Sequence, residues 1–407
     1  MNAISVLLVL VAVGCSSDNR SVGDAALDRS ASDASIDPLD AEVPDAPIPD
    51  RSVPDADLPP EPREPKAADR VRYVVVSQPF SDAGEQNRYG VLELGTDGTL
   101  ASTGPSFEMG RITVGSIAFT PDGEVGIVAQ NDGSLGVFRL DDAGTPTVVH
   151  RAFSGAFYAS TVVMGPEGLY AYVLDTQFRT SGGGVYRFPI GRDGSLSAPE
   201  LILPAQLPAG FFLTDDGASA LVVAKDAVDA PTDAFDLHRV SLEDPPTRAA
   251  SLKMFQGEYI VGAAAVWRDQ FVLVGDNCAF CGPNQVAVAK VSTVEPSFAG
   301  AVQIEDPIAI ITSPFEDLAL VMSGFGNAVF VLERLEPLSM PTELAYNGDG
   351  PALPGGAVMI ERGTLTGLIL MAENQGVRRI RLREGRIIED LGRTSTEFVV
   401  GAIGVQP

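Results

Sequence analysis

Hydrophobic and polar positions follow one repeated pattern along most of the chain, with a period of roughly 50 residues. The clearest copy covers residues 115–153, GSIAFTPDGEVGIVAQNDGSLGVFRLDDAGTPTVVHRAF. It reads as a small-residue strand, a PDG turn, a fully apolar strand, a polar loop, an alternating strand and a polar edge strand. The unit therefore predicts four antiparallel strands.

The same unit returns along the rest of the chain. Its first turn recurs at 166–168, 215–217, 268–269, 315–317 and 361–363. The apolar strands that follow are LYAYVLD, SALVVAK, FVLVGD, LALVMS and LILMAE, and the next strands are GVYRFPI, FDLHRVSL, QVAVAKVS, AVFVLERL and VRRIRLRE. A repeat of this length is typical of β-propeller blades.

One further unit is divided between the two ends of the repeat region. RVRYVVVS (70–77) reads as a second strand, RYGVLELG (88–95) as a third, and a fourth follows around 102–107. The missing first strand matches VVGAIGVQP (399–407), which resembles VGSIAFTP (114–121). The sequence thus predicts an all-β, seven-bladed β-propeller over 70–407, with four antiparallel strands per blade, closed by the C-terminal strand pairing into the N-terminal blade.

Small residues occupy one aligned position in every predicted inner strand, as a crowded central axis requires. They are Gly115, Ser160, Ala209, Gly262, Ala309, Gly355 and Gly401. The pattern resembles the seven-bladed propellers of the lactonase-like and YVTN-repeat families over essentially the whole repeat region. That resemblance implies the architecture, but none of the family's enzymatic residues can be placed on positions of this chain.

Composition agrees with a turn-rich β fold and narrows the range of partners. The 407 residues include 42 Gly and 30 Pro, 45% are hydrophobic, and the formal net charge is −26. Nucleic-acid binding depends on clustered cations, so this charge disfavours it. It equally disfavours adsorption to anionic lipid, and we expect membrane attachment only through a covalent lipid.

The N-terminus predicts export. Residues 1–14 carry an apolar run that is too short to span a bilayer and ends before Cys15, as in a signal peptide. The segment resembles a bacterial lipobox, which implies lipidation of Cys15, and Ser16 resembles the signal of outer-membrane lipoproteins. The alternatives are an ordinary secretory signal or a buried N-terminal strand. Residues 15–69 are rich in Pro, Ala and Asp and predict a disordered acidic linker.

Mainly polar residues stand at the predicted ends of the second strands. This polar ring comprises Gln78, Gln130, Asp175, Lys225, Asp276, Gly324 and Glu373. The adjoining loops are long at 77–88, 174–184, 224–235 and 275–285, and short near Asn131, Gly324 and Asn374. Because these loops differ in length, we expect an uneven face with an off-centre groove. The polar ring could bind a cation, a sugar or a peptide amine there. Alternatively, these residues only satisfy the strand ends.

Two other groups of residues carry weaker chemical signals. Asp226, Asp229 and Asp233 share one loop and are weak metal candidates, but their spacing fits no standard calcium loop and favours a solvated acidic loop. His150 and His238 lie on separate strands without partners at ligand spacing and read as surface or strand histidines. Cys278 and Cys281 form a CxxC that predicts a local disulfide in an exported protein, rather than redox or zinc chemistry.

The sequence favours a binding or scaffold module at the cell envelope, because an anchor, a spacer and a rigid disc occur without a catalytic signature. Its partner would be a protein, a peptide or a glycan. The alternative is a metal-dependent hydrolase or lactonase-like enzyme that uses the polar ring. No cofactor is predicted, apart from the divalent cation that this alternative needs.

Overall fold

The computed structural model describes residues 61–78, 88–109, 116–130, 133–153, 159–175, 183–214, 217–225, 235–242, 247–255, 261–277, 284–292 and 295–407. Within them, 28 strands form seven four-stranded antiparallel sheets arranged in a ring. The predicted seven-bladed β-propeller is confirmed. The predicted signal peptide, Cys15 and most of the predicted linker lie outside the described residues. No helix in the described ranges is long and apolar enough to cross a membrane.

The blades are numbered from the N-terminus, and strands are given from the axis outward. Blade 1 contains β28 (Ile403–Val405), β1 (Arg72–Gln78), β2 (Arg88–Leu94) and β3 (Leu100–Glu108). Blade 2 contains β4 (Ile117–Phe119), β5 (Val125–Ala129), β6 (Leu135–Leu140) and β7 (Pro146–Phe153). Blade 3 contains β8 (Ala159–Met164), β9 (Tyr170–Asp175), β10 (Gly184–Pro189) and β11 (Glu200–Pro204).

The remaining blades repeat this order. Blade 4 contains β12 (Gln206–Leu213), β13 (Ser219–Lys225), β14 (Phe235–Ser241) and β15 (Thr247–Lys253). Blade 5 contains β16 (Val261–Trp267), β17 (Phe271–Asp276), β18 (Gln285–Lys290) and β19 (Ser297–Gln303). Blade 6 contains β20 (Pro307–Thr312), β21 (Ala319–Ser323), β22 (Ala328–Leu332) and β23 (Thr342–Glu343). Blade 7 contains β24 (Ala357–Met359), β25 (Leu368–Glu373), β26 (Gly376–Arg383) and β27 (Ile387–Ser395).

The hydrophobic core lies between the blades. Seven clusters of buried residues are found, and each joins one blade to the next. Successive side chains of a strand point to opposite faces, so Val74 and Val76 of β1 pack towards blade 7 while Val75 packs towards blade 2. The second strands are therefore continuous apolar runs, because both of their faces are covered.

The ring closes through the C-terminal strand, as predicted. β28 pairs with β1 in the register Val74↔Val405, Val75↔Gly404 and Val76↔Ile403. Ser77 extends the ladder, since its amide donates to Ala402 O at 2.9 Å and its Oγ accepts from the Ala402 amide at 2.7 Å. Blade 1 is thus assembled from both ends of the repeat region.

The connections divide the disc into two faces. We call the side where second strands join third strands the loop face, and the side where first strands join second strands the turn face. On the turn face, Gly123 adopts a φ of 71°, which the predicted PDG turn requires. Blade 5 makes the corresponding turn with Arg268 and Asp269 at φ of 46° and 52°, the pattern of a type I′ turn.

Residues 61–70 lie across the turn face, and we call this segment the strap. Arg63 is only 3% exposed. Its guanidinium donates to Asp122 Oδ2 in blade 2 at 2.9 Å and to Gly191 O in blade 3 at 2.6 Å. Its amide donates to Glu167 O at 2.9 Å. A single side chain therefore joins the strap to two blades.

The strap also reaches blade 7, across the closure. Lys66 Nζ contacts Asp142 Oδ1 of blade 2 at 2.7 Å, and Asp69 Oδ1 accepts from the Thr364 amide of blade 7 at 2.7 Å. Residues 61–69 were predicted to belong to the linker, whereas in the structure they contact the propeller. The reason is that side chains of this stretch meet hydrogen-bond partners that blades 2, 3 and 7 supply on the turn face.

Candidate functional site on the loop face

The polar ring lies where the sequence placed it, at the loop-face ends of the second strands. β1 ends at Gln78, β9 at Asp175, β13 at Lys225, β17 at Asp276 and β25 at Glu373. Gln130 and Gly324 directly follow β5 and β21. Each blade therefore contributes one ring position at the same level of the disc.

Most described ring side chains are buried within their own blades. Gln130 is 1% exposed, and Asp175, Asp276 and Glu373 are fully buried, whereas Gln78 is half-buried. Gln130 Nε2 donates to Met109 O at 2.7 Å, and its Oε1 accepts from Ser134 Oγ at 2.9 Å. The side-chain amide of Gln130 thus links the segment that follows β3 with the turn between β5 and β6.

Asp276 has a comparable role in blade 5. Its Oδ2 accepts a hydrogen bond from the Asn284 amide at 3.1 Å, so the carboxylate holds the residue that precedes β18. The carboxylate thus gives a backbone N–H an acceptor at the point where strand pairing ends and no longer supplies one.

Glu373 belongs to a buried ion network in blade 7. Its Oε1 accepts from Arg378 Nε, and Arg378 Nη1 donates to Asp390 Oδ2 at 2.7 Å. Arg378 also donates to Asp349 O at 2.8 Å, and its guanidinium lies 5.6 Å from the Tyr346 ring centre. Burial by itself would lower the pKa of Arg378, but Glu373 and Asp390 raise it above its ordinary value. The guanidinium stays charged and fixes both carboxylates.

The structure does not describe several of the predicted site residues or their side chains. Asp226, Asp229, Asp233, Cys278 and Cys281 lie outside the described residues. For Lys225 the main chain is described, and it pairs with Gln206 and Phe235, but its side chain is not. Metal binding, the disulfide and ligand binding by the ring stay predictions. In the ranges that are described, no group of three or more His, Cys, Asp or Glu could hold a metal ion.

His238 was read as a surface or strand histidine, and it lies in β14 fully buried. Its Nδ1 lies 2.7 Å from Ser251 Oγ of β15. The imidazole is therefore part of the packing of blade 4.

Blade 6 contains a carboxylate that the sequence reading missed. Its ring position is Gly324, and Asp306, which precedes β20, lies against it; a Cβ on Gly324 would overlap the Asp306 carboxylate. Asp306 is 7% exposed, adopts a φ of 45°, and accepts from the Phe325 amide at 2.9 Å. Burial raises the pKa of Asp306, as does nearby Glu305, whereas the Phe325 amide lowers it.

Two apolar side chains beside Asp306 are exposed, which the sequence pattern also did not reveal. Phe325 is 41% exposed and Leu353 is 44% exposed. Both border the tight turn between β21 and β22, since the Leu353 amide donates to Asn327 Oδ1 at 2.8 Å. We call Phe325, Leu353 and Asp306 the low-side patch.

The strand bounds confirm that loop lengths around this face are uneven. The second-to-third connections cover 79–87, 176–183, 226–234 and 277–284 in blades 1, 3, 4 and 5, but only 130–134, 324–327 and 374–375 in blades 2, 6 and 7. The low-side patch lies on the side with the shortest connections. A partner can therefore approach Phe325 and Leu353 without passing over a long loop of blade 6 or 7.

Comparison with known proteins shows the fold. No protein-family model matches the chain, and no curated protein matches it. It is similar to a 6-phosphogluconolactonase-like protein from Bacteroides fragilis, with 12% identity, a TM-score of 0.58, and coverage of 84% of this chain and 99% of that one. A protein from Lactobacillus plantarum has 12% identity, a TM-score of 0.60, and coverage of 83% and 100%.

A third similar structure is Sqt1 from Chaetomium thermophilum bound to the N-terminus of the ribosomal protein L10. It has 12% identity, a TM-score of 0.51, and coverage of 82% of this chain and 90% of that one. At these identities the likeness is one of architecture. The chain is a seven-bladed β-propeller whose structural neighbours include 6-phosphogluconolactonase-like proteins and Sqt1 bound to the N-terminus of L10.

Proposed function

We propose that this protein is an exported, lipid-anchored binding or scaffold module of the cell envelope that holds a protein or peptide on its loop face. The observation that carries the proposal is a division of roles on that face. The described polar ring residues of blades 2, 5 and 7 bond within the fold, while the exposed side chains of the low-side patch are apolar. Such a surface suits recognition better than proton transfer.

The chemistry of the low-side patch favours a polypeptide partner. Aromatic side chains are enriched in the centres of protein interfaces, and Phe325 stands on a turn held by the Asp306 carboxylate. Because that turn is fixed, little side-chain or loop entropy is lost when a partner covers it. The complex of Sqt1 with the N-terminus of L10 supports the proposal by analogy, because a structure similar to this chain is bound there to a terminal segment of another protein.

Export and anchoring rest on the lipobox-like segment and Cys15. In a lipoprotein-producing bacterium, metabolic labelling with a tagged fatty acid should mark the protein, and Cys15→Ala should abolish the label. An equally labelled Cys15→Ala protein would remove the anchor from the proposal while leaving the binding face intact.

The binding proposal predicts that the double variant Phe325→Ser/Leu353→Ser loses the partner. The full chain should be compared with this variant by quantitative mass spectrometry of proteins cross-linked in envelope preparations. We expect the cross-linked amount of one protein to fall at least tenfold in the variant. The reason is that removing each of the two apolar interface anchors costs about 1 kcal/mol or more of binding free energy. The purified protein so identified should then bind the parent directly.

The matched control is Leu201→Ser/Phe298→Ser, which removes two exposed apolar side chains from outer strands of blades 3 and 5. It should retain the cross-linked partner at the parental level. If both double variants retain every cross-linked protein equally, the loop face is not the binding surface.

A lactonase-like, metal-dependent hydrolase is the second candidate, and the 6-phosphogluconolactonase-like neighbours favour it. Metal analysis of the purified protein, together with a panel of lactones and esters, tests it. If the protein holds stoichiometric divalent metal and a chelator abolishes its hydrolysis, the result would favour an enzyme over a binding module.

A further inference from the structure

The strap lies in a cleft on the turn face, formed by Asp122 of blade 2 and by Glu167, Gly168 and Gly191 of blade 3, which we call the strap cleft. Arg63 fills this cleft. Its guanidinium donates to Asp122 Oδ2 at 2.9 Å and to Gly191 O at 2.6 Å, and its amide donates to Glu167 O at 2.9 Å. The strap cleft therefore binds both the side chain and the main chain of one arginine, as a site for an extended peptide does.

The acceptors of the strap cleft are held by their own blades and not by the strap. Asp122 Oδ1 accepts from Thr120 Oγ1 at 2.6 Å and from the Glu124 amide at 3.1 Å. Gly191 O also accepts from the Gly194 amide at 2.9 Å, within the connection between β10 and β11. The cleft should thus keep its shape when the strap leaves, which is the property of a preorganised binding site.

Gly168 leaves the space that the stem of the arginine occupies. It adopts a φ of 66°, and a Cβ at this position would lie 2.6 Å from Pro121 Cδ and 2.8 Å from Arg63 Cδ. Both distances are shorter than real Cβ contacts. A larger residue at position 168 would therefore close the cleft to an arginine side chain.

The strap also neutralises the acidic side chains around the cleft. Its arginine pairs with Asp122, and Lys66 Nζ lies 2.7 Å from Asp142 Oδ1 and 3.4 Å from Glu124 Oε1. Among the ion pairs of the described residues, only that between Arg139 and Glu124 would remain for these three carboxylates without the strap. A cationic segment of another chain would restore the lost pairs.

The strap is attached in a way that permits it to leave. Arg63 is its only buried residue, and no part of residues 61–70 belongs to a strand or a helix. Segments with few buried apolar contacts open at a lower free energy than the whole protein unfolds. If the strap is open in about one molecule in a hundred, a competing segment still binds, with an apparent affinity about a hundredfold below its intrinsic one.

We propose that the strap cleft recognises an extended, arginine-bearing segment of a partner protein, and that the strap is the intramolecular competitor of this segment. The strap shows which sequence fits, because Arg63 enters the cleft while Lys66, three residues later, contacts Asp142. The partner segment would therefore carry a second cation at this spacing. The proposal is independent of the loop-face function, since it concerns the opposite face of the disc.

The probe for this site is a peptide with the sequence of residues 61–69, EPREPKAAD, that carries a fluorophore and is followed by fluorescence anisotropy. Full-length Arg63→Ala should bind it at least about tenfold more tightly than the parent does, because the competing arginine is gone. The same peptide with citrulline in place of arginine should bind Arg63→Ala at least about tenfold more weakly. Alanine in place of the peptide's lysine should weaken binding about threefold.

Two further variants assign the binding to the cleft. Asp122→Asn, combined with Arg63→Ala, should bind the arginine peptide no better than Arg63→Ala binds the citrulline peptide, because the charge is removed while the shape is kept. The matched control is Arg334→Ala, which removes an exposed arginine that follows β22 and should bind like the parent. Thermal unfolding checks that each variant folds. If Arg63→Ala does not fold, the arginine and citrulline peptides are compared on the parent.

Hydrogen exchange of the full-length parent tests the opening of the strap separately. The Arg63 amide, which donates to Glu167 O, should exchange faster than the amides of β5 and β9. Exchange of this amide only together with those strands would contradict a detachable strap.

The proposed recognition of arginine fails if Arg63→Ala shows no saturable binding, or if the arginine and citrulline peptides bind equally. It also fails if the variant with Asp122→Asn keeps full affinity. Equal affinity of the parent and Arg63→Ala for the arginine peptide would show that the strap does not compete.

Discussion

Residues of one chemical type serve different purposes at equivalent positions of this protein. Asp276 holds a backbone amide, Glu373 neutralises a buried arginine, and Asp306 supports an exposed turn. The sequence indicated where the ring carboxylates would lie, because strand ends follow from the alternation of apolar positions. It could not indicate their partners, since Arg378 and Asp390 are brought to Glu373 by the pairing of β25, β26 and β27.

The buried network predicts that Glu373→Ala lowers the free energy of unfolding by about 3 kcal/mol, because Arg378 would keep only one of its two carboxylate partners. Chemical denaturation of the parent and the variant measures the loss. The exposed Glu343→Ala should change it by less than about 0.5 kcal/mol. A stable Glu373→Ala that no longer binds its partner would instead make Glu373 a ligand-binding residue.

Asp306 predicts a pH-dependent effect. Because burial raises its folded-state pKa above the unfolded value, ionisation of Asp306 at neutral pH disfavours the folded state. Asp306→Asn should therefore melt at a higher temperature than the parent at pH 7, and the difference should shrink as the pH falls through the raised pKa of Asp306. Asp97, whose pKa is lowered by hydrogen bonds from Thr99, should show the opposite sign when changed to Asn.

At the scale of the element, the strap differs most from expectation. Its composition matches that of a disordered segment, and only the fit of Arg63 between Asp122 and Gly191 distinguishes it. Burial alone would raise the pKa of Asp122, but hydrogen bonds from Thr120, Glu124 and Arg63 lower it below its ordinary value. Such a fit depends on two blades that are distant in sequence, so no local pattern could predict it.

Arg63→Ala should therefore lower the free energy of unfolding by about 3 kcal/mol, since it leaves the buried Asp122 without its cation. Lys66→Ala, which removes a more exposed ion pair from the same strap, should cost less than about 1 kcal/mol. Denaturant titration distinguishes the two variants. Equal small losses would show that the strap lies on the blades without stabilising them.

At the scale of the whole molecule, the fold was predictable because the ring imposes the same burial on every blade. Each second strand is covered on both faces, so seven similar apolar runs recur at a regular spacing. The low-side patch and the strap are uneven features that break this regularity. They depend on single side chains and on contacts between neighbouring blades, which a repeat pattern does not contain.

The closure predicts that deleting residues 403–407 abolishes cooperative thermal unfolding, because the β1 edge loses its partner strand and the core between blades 7 and 1 loses Ile403 and Val405. Calorimetry and limited proteolysis measure the effect. Deleting residues 1–60 should leave the melting temperature unchanged. A cooperative transition in the C-terminal deletion would contradict closure by β28.

The strap also has a mechanical consequence. Tension applied through the chain ahead of residue 61 reaches Arg63 before it reaches β1, and Arg63 divides the load between blades 2 and 3. The pairing of β28 with β1 therefore bears less of the applied force. Force on the N-terminus would therefore load the hydrogen bonds and ion pairs of Arg63, Lys66 and Asp69 before it loads the pairing of β28 with β1.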